Sequence, residues 1–476
     1  MASETYKKKI EDDDDDDDLD FVIDEKHPII QRKIQTSLKT SIREGSFSMG
    51  MYGFGTSYLS PYALVLNATS SQIGILDGIA SLLPSLVQLK AARLLEHFSR
   101  KKLVIITVLI QALLFIPLAL LGFLFVNGST NVVWVMIGIV GLMYSVSAIS
   151  GVAWFSWMGS LVPEHARGKY FSKRNRITGF FGLIFMVIAA LLLDKFKRSG
   201  TILLGFGVLF SLAFIFRSIA LLMFSHQYEP HLKIKKGDYF SLWQFLKTGR
   251  NTPFGRFAIC TGLLRIATNI AGPFFTVYML RDLGFSYIWF MIVVVAGTAF
   301  ELIFYPLMGR LSDKFGNICL LRICMPLIAL VPFLWVLSPN PYYLIFVAQC
   351  ASGFAWAGFN IATNNYIYDA VSSEKRAYGL TYFNLISGIG LFIGAGIGSL
   401  IALMNISFMN VMLFIFIVSS VARFAVYYLF SGILKEVRHV SHFSPQYLLK
   451  EFHPTRGFVR EIHLMKNKIG ELKHFF

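Results

Sequence analysis

The chain has 476 residues, of which 55% are apolar and 15% charged, against about 25% charged in an ordinary soluble domain. Phe alone occurs 45 times and mean hydropathy is +0.58, so the formal charge of +16 does not mark a nucleic-acid binder. The same figures exclude a soluble multidomain protein and a disordered chain. The length accommodates twelve bilayer crossings of about 20 residues each, with loops and tails.

In chain order, residues 1–45 carry 8 Lys/Arg and 13 Asp/Glu, with an unbroken acidic run from Glu11 to Asp18. A block of like charge repels itself, so 1–45 is expected to be a disordered acidic tail. No positive cluster leads directly into an apolar stretch, so no removable secretory leader is expected. Apolar runs of spanning length follow near 46–66, 73–92, 103–126, 132–160, 172–193 and 201–225. A polar linker, 226–256, precedes six more, near 257–280, 286–308, 318–338, 341–369, 378–404 and 407–431. Helices satisfy their own backbone where water is absent. The expected fold class is therefore an all-α membrane protein, twelve transmembrane helices in two bundles over 46–225 and 257–431. Phe240, Leu242, Trp243 and Phe245 predict a short surface helix within the linker. In the tail 432–476, Phe458, Ile462, Met465 and Ile469 form a stripe beside Lys466, Lys468 and Lys473, the pattern of a basic amphipathic helix lying on lipid.

With the N-terminus in the cytoplasm, the inner loops hold 20 Lys/Arg and the outer loops 4. That bias predicts a multi-pass protein of the cell membrane with both termini cytoplasmic. The sequons at Asn67, Asn127 and Asn405 fall on short outer turns, where Asn and Ser are common for their own sake. Cys260, Cys319, Cys324 and Cys350 sit in or beside apolar runs and show no disulfide or zinc spacing. No metal site and no cofactor are expected, and no Gly-x-x-x-x-Gly-Lys-Ser/Thr loop suggests direct drive by ATP.

The halves repeat each other. Ala92-Arg93-Leu94-Leu95-Glu96-His97-Phe98-Ser99 follows the second run, and Gly309-Arg310-Leu311-Ser312-Asp313-Lys314-Phe315-Gly316 follows the eighth. Arg167 and Arg376 occupy corresponding loops, each eight residues before an Asn, at Asn175 and Asn384. Arg217 and Arg423 lie in the sixth and twelfth runs, each followed by Phe and Ser at matching offsets. Three agreements in order argue for duplication.

On these residues the chain resembles the major facilitator superfamily of secondary transporters over about 45–431. The family's loop signature, Gly-x-Leu-x-Asp-Arg/Lys-x-Gly, is matched by Gly309, Leu311, Asp313, Lys314 and Gly316. The first copy departs from it at Ala92, Glu96 and Ser99. The stretch Val162 to Phe171 looks like the Pro-Glu-x-x-Arg-Gly loop of bacterial members. The resemblance implies two six-helix bundles that rock about a central cavity lined by spans one, four, seven and ten. It implies a gating role for Arg310, Asp313 and Lys314 and, less directly, for Arg93 and Glu96. Asp313 would meet a helix N-terminus or an Arg when the inner side is shut. The proline-containing span-five motif of the family's drug antiporters has no counterpart in Gly179-Phe180-Phe181-Gly182-Leu183.

Ionisable groups within a bilayer are expensive and are paired or functional. Glu301 and Arg265 lie at similar depth, so a pair between them is expected, as a structural clamp, a proton-coupling site or part of a substrate site. Asp77 is a second titratable candidate. Arg217 and Arg423 are expected to be supports, bonded to Glu164 and to Glu374 or Asp369. On the implied cavity spans lie Tyr58 with the helix-bending Pro61, Trp154 and Trp157, Asn269, and the stripe Trp356, Asn360 and Asn364 at i, i+4 and i+8. Aromatics with amides suit a neutral or amphipathic solute of modest size. The glycines of span eleven, Gly388 to Gly398, read as a close-packing surface.

The expected function is a monomeric secondary transporter, not an enzyme. Its expected partners are a small-molecule substrate, protons and membrane lipids, and no nucleic acid. An efflux carrier for amphipathic drugs or lipids, or a non-transporting receptor or scaffold of the same fold, remain the alternatives.

Overall fold

The computed structural model describes residues 28–126, 131–162, 167–230, 252–371, 376–404 and 406–437. Among the described residues the regular structure is all helical. Spans two to six are Ser70–His97, Arg100–Val126, Val132–Leu161, Arg167–Arg198 and Ile202–Ser225. Spans seven to ten are Pro253–Asp282, Tyr287–Phe315, Asn317–Leu337 and Pro341–Ile367. Spans eleven and twelve are Arg376–Ile401 and Val411–Phe430. These eleven are long and apolar enough to cross a bilayer. Exposed apolar side chains such as Phe123, Phe155, Leu204 and Tyr428 form the surface that contact with lipid requires.

Span one corrects the expected boundary at residue 45. Its helix runs Pro28–Phe54, eighteen residues further back than 46, and continues as Leu59–Val65. Leu38, Ser41 and Glu44, placed in the acidic tail by composition, are buried at 0%, 0% and 2% exposure. No glycine or proline interrupts the chain between Pro28 and Gly45, so the helix extends past its apolar part and packs there on spans five and six. Residues 226–230 also leave the expected linker. They fold back on the first bundle, where the Tyr228 amide donates to Ser37 and Gln227 is 1% exposed. The surface helix expected near 240, the tail helix near 457–476, Glu164 and Glu374 lie outside the described residues.

Prolines break spans one and seven at matching places. A proline removes the donor for the carbonyl four residues back and crowds it. Pro61 does this to Ser57, and the helix is replaced by a tight turn over Thr56–Tyr58. Pro273 does it to Asn269, where the helix stops and resumes at Phe274. The breaks therefore fall one turn before each proline.

The twelve crossings leave two ends. One carries the long basic loops and both ends of the described chain, and is called the basic end below. The other carries short turns. At the short-loop end one continuous apolar cluster contains Tyr62, Ile73 and Ala189 of the first half with Phe274 and Tyr287 of the second. Towards the basic end the core divides into one cluster around Trp157 and Tyr170 and another around Phe257 and Tyr366. Span two follows the same division. Ile73, Gly74, Leu76 and Gly78 are buried, whereas every residue from Ile79 to Lys90 is half-buried or exposed. The halves share one core at the short-loop end and have separate cores towards the basic end, where span two keeps contact with the second half at Ser85 and Leu89.

Candidate functional site

Four hydrogen bonds cross between the halves among the described residues, and all lie at or near the short-loop end. Ser399 Oγ of span eleven donates to the Ser71 carbonyl at 3.1 Å. Asp194, 7% exposed at the end of span five, accepts from the backbone amides of Tyr287 and Ile288 at 2.8 and 3.1 Å. These are the first amides of span eight, which no carbonyl of their own helix can receive. Ser286 Oγ accepts the next, from Trp289, at 3.3 Å. An acid on a helix N-terminus also meets the positive end of the helix dipole. Asp194 therefore closes this end electrostatically, while the Lys197 ammonium stands 5.6 Å over the Tyr287 ring. The fourth and deepest bond runs from Asn269 Nδ2 to Asp77 Oδ2 at 2.8 Å. The same amide reaches the Leu391 carbonyl at 2.8 Å, so the amide at the break of span seven ties three spans together.

One turn from Asn269 towards the basic end, on the same helix face, stands Arg265. Its guanidinium carbon lies 5.5 Å from the Trp356 ring centroid and 5.8 Å from that of Phe359. Those two rings meet edge to face at 5.4 Å and 84°. The expected Arg265–Glu301 pair is absent: no basic group comes within salt-bridge distance of Glu301 among the described residues. Glu301 Oε1 instead accepts from Tyr305 Oη at 2.6 Å and from Asn360 Nδ2 at 2.7 Å. Tyr305 is one turn along the same helix, and the small Gly353 of span ten lets Asn360's helix approach closely. A Cβ at Gly353 would lie 2.7 Å from the Glu301 nitrogen. Asn360, Trp356 and Asn364 form the expected stripe, with Asn364 exposed and the other two half-buried. Arg265 on Trp356, and Glu301 on Asn360, thus meet span ten at positions one turn apart, with Tyr305 beside the acid.

Two expected cavity residues belong to the core instead. Tyr58 is fully buried and donates to the Met186 carbonyl at 2.7 Å. Trp157 is fully buried, and its Nε1 donates to the Tyr228 carbonyl at 2.9 Å. Both rings fill space between helices of the first bundle, and their polar atoms satisfy carbonyls there. Trp154 is half-buried and carries the Arg174 guanidinium 4.4 Å over its ring.

Arg174 and Glu44, neither of them in the expected set, form a charge cluster with the expected Arg217. Arg174 Nη2 lies 3.4 Å from Glu44 Oε2. Ser48 Oγ donates to Glu44 Oε1 at 2.6 Å and accepts from Arg217 Nη1 at 2.7 Å. Arg217 thus has Glu44 as its acid through Ser48. A legible signal was the row Ser41, Glu44, Ser48 and Met51 at helical spacing. The average hydropathy of 28–45 is too low to announce a span, and this concealed it. Arg423 does not bond Asp369. It donates to the Ile328 carbonyl at 2.9 Å and the Thr268 carbonyl at 3.0 Å. Ile328 lies four residues before Pro332, so its carbonyl has lost its helical donor. Arg423 supplies one. Asp369 accepts from Asn317 at 2.7 Å.

The loop signature after span eight is only partly engaged. Gly316 has φ +88, which favours glycine, and a Cβ there would strike the Glu436 carboxylate. Glu436 also accepts the Ile318 amide at 2.9 Å. Gly309 meets nothing, and Lys314 lies 5.5 Å over the Phe315 ring. Asp313 is exposed and has no hydrogen-bond or ion-pair partner among the described residues. Among the described residues Glu436 and Asp369 are the acids that accept hydrogen bonds at this end of the second half, beside the contacts Ser312–Asn317 at 2.6 Å and Asn365–Ser312 at 3.1 Å. The side chains of Arg93, Glu96, Arg167 and Arg376 lie outside the described residues.

Of the span-eleven glycines, Gly388, Gly390, Gly394 and Gly398 serve close packing, whereas Gly396 meets nothing within 4 Å. A Cβ at Gly390 would lie 2.6 Å from the Gly262 carbonyl of span seven. Gly394 and Gly398 face the Ile266 and Ile270 carbonyls of that span, and Gly388 faces Ser85 of span two.

A nucleoside transporter, NupG, superposes with a TM-score of 0.61 at 15% identity, covering 84% of this chain and 99% of that one. A bacterial homologue of the human lysosomal transporter Spinster, inward-facing and unoccupied, gives 0.60 at 16% identity over 87% and 99%. A bacterial homologue of the iron transporter ferroportin, also inward-facing, gives 0.59 at 14% identity over 84% and 99%. At these identities the likeness is one of fold. No curated protein matches the chain. The Major Facilitator Superfamily pattern matches residues 45–253 and 257–459, nearly the whole of both halves. The chain belongs to the major facilitator superfamily.

Proposed function

We propose that this secondary transporter carries a small solute by alternating access, and that Arg265, Trp356, Asn360, Glu301 and Tyr305 receive it. The observation that carries the reading is the division of the core. One apolar cluster joins the halves at the short-loop end, and two separate clusters serve the basic end. Such a molecule can exchange one closed end for the other by rocking its halves about the site between them. The positive-inside bias assigns the basic end to the cytoplasm of a cell membrane, with both termini there. The structure then corresponds to a cytoplasm-open state, and Asp313, exposed in it, engages when that end shuts. Glu301 is the group whose protonation would couple transport to a proton gradient.

The test is a pair of distance measurements on spin-labelled protein in proteoliposomes, one pair at each end, with tracer uptake on the same samples. Opposite distance changes at the two ends on adding a transported solute support the reading. Distances that stay fixed while the solute crosses would end it. Unchanged transport and pH dependence in Glu301→Gln would remove the coupling role alone.

A further inference from the structure

The arginines held among the helices are provided for in different ways. Arg174 has Glu44 within 3.4 Å. Arg217 has Ser48, itself bonded to Glu44. Arg423 has two carbonyls. Arg265 has none of these: among the described residues its guanidinium makes no hydrogen bond and no ion pair, and its Nε is buried without a partner. Only the rings of Trp356 and Phe359 attend it. Ring faces stabilise a cation and fix its orientation, yet leave its five N–H donors unspent. A cation held this way within a bilayer calls for an anion. Arg265 is half-buried, so one side is open. It lies one turn below the Asn269–Asp77 bond, on the face that looks between the halves.

Glu301 is the complement. Both of its donors, Tyr305 and Asn360, meet the same oxygen, Oε1. Its Oε2 accepts nothing, and no cation approaches it, among the described residues. Asn360 lies one turn along span ten from Trp356, so the acid and the stacked guanidinium are held at neighbouring positions of one helix. Each has an unmet charge, and the two do not meet each other.

We propose that the transported solute is a small organic acid with a hydrogen-bond donor at its other end: the oxyanion, carboxylate or phosphate, docks on Arg265, and the amine or hydroxyl on Glu301. This rests on the transport reading above. A planar guanidinium held over two rings, with its N–H donors unspent, suits bidentate recognition of an oxyanion. It also replaces the neutral or amphipathic solute suggested by the amides and aromatics of span ten.

The test uses full-length detergent-purified protein and thermal shift against matched pairs. The probes are amino acids and hydroxy acids against their amides, and sugar phosphates against the parent sugars. Acid members of at least one pair should raise the melting temperature and their neutral mates should not. The phosphate and carboxylate arms identify which oxyanion is bound. Arg265→Gln should abolish the shift and Arg265→Lys retain part of it, with unliganded melting temperatures and elution profiles showing that both fold. Glu301→Gln should weaken the donor-bearing acid at least tenfold, while an otherwise identical acid without the donor binds as before. Stabilisation by neutral members that survives Arg265→Gln overturns the proposal and leaves transport standing. No shift by any acid also overturns it, and if spin-label distances stay fixed as well, the transport reading falls with it.

Discussion

Replacing Asp194 by Asn should loosen the short-loop end of the molecule. The carboxylate accepts two first-turn amides of span eight at 2.8 and 3.1 Å, across the boundary between the halves. Asn is nearly the same size and keeps one acceptor oxygen, so one amide retains a neutral bond. The other faces an NH2 group and loses its partner. Hydrogen bonds to a charged group are worth about 1.5–3 kcal/mol against about 0.5–1.5 for neutral ones, and the dipole term adds up to about 2 kcal/mol in partly buried settings. Water recovers part of this when the end opens, which leaves about 2 kcal/mol for the closed state. That corresponds to a shift of about 30-fold in the ratio of closed to open molecules. Double electron–electron resonance between nitroxides on Ser199→Cys and Leu403→Cys, both exposed at this end and on opposite halves, reads that ratio once the four native cysteines are replaced. Asp194→Asn should add or enlarge a long-distance population. An unchanged distance distribution would refute the assignment of Asp194 as the closing contact.

Further outcomes follow from the same geometry. Glu44→Ala leaves Arg174 and Arg217 buried without their acid, and should lower stability in detergent by about 3 kcal/mol, measured as a clear fall in melting temperature. Gly390→Ala sets a methyl 2.6 Å from the Gly262 carbonyl, and the forced separation of spans seven and eleven should cost about 1–3 kcal/mol. Arg423→Met strips Ile328 of the donor that Pro332 denies it, and should destabilise by about 2 kcal/mol without altering solute selectivity in competition assays. Trp157→Phe removes one bond to Tyr228 from the core and should cost about 1 kcal/mol, leaving the apparent affinity for solute unchanged. A tenfold change there would return Trp157 to the cavity.

The candidate site was half legible before folding. Trp356, Asn360 and Asn364 share a helix face, and a side chain three or four residues along is a neighbour in any helix. Local periodicity therefore placed them together. The Glu301–Asn360 contact is different, because it depends on how spans eight and ten pack at Gly353. Depth alone suggested Arg265 as the partner of Glu301, but depth carries no azimuth, and Arg265 turned to two aromatic rings instead. Tyr58 and Trp157 failed for the opposite reason. Both lie on the implied cavity spans, yet the face each presents is inward to its own bundle. Glu44 was hidden because hydropathy averaging reports a membrane crossing rather than a helix, and the first helix begins well before its apolar part.

By itself the sequence determined the class, the two groups of six runs, the internal repeat and the loop signature after span eight. Each of these depends on covalent order or on contacts within a helical turn, so each survives without knowledge of packing. Only the tertiary structure decided which charges meet. Asp194 on the amides of span eight, Asn269 on Asp77, Glu44 between Arg174 and Arg217, and the guanidinium of Arg265 without an acid all follow from rotation and approach of whole helices. Those are set by summed packing over many residues, such as the glycine face of span eleven, and no short stretch of sequence encodes them. The closed short-loop end and the divided core at the basic end belong to the same level, since one sequence supports both states and the packing of the two halves selects between them.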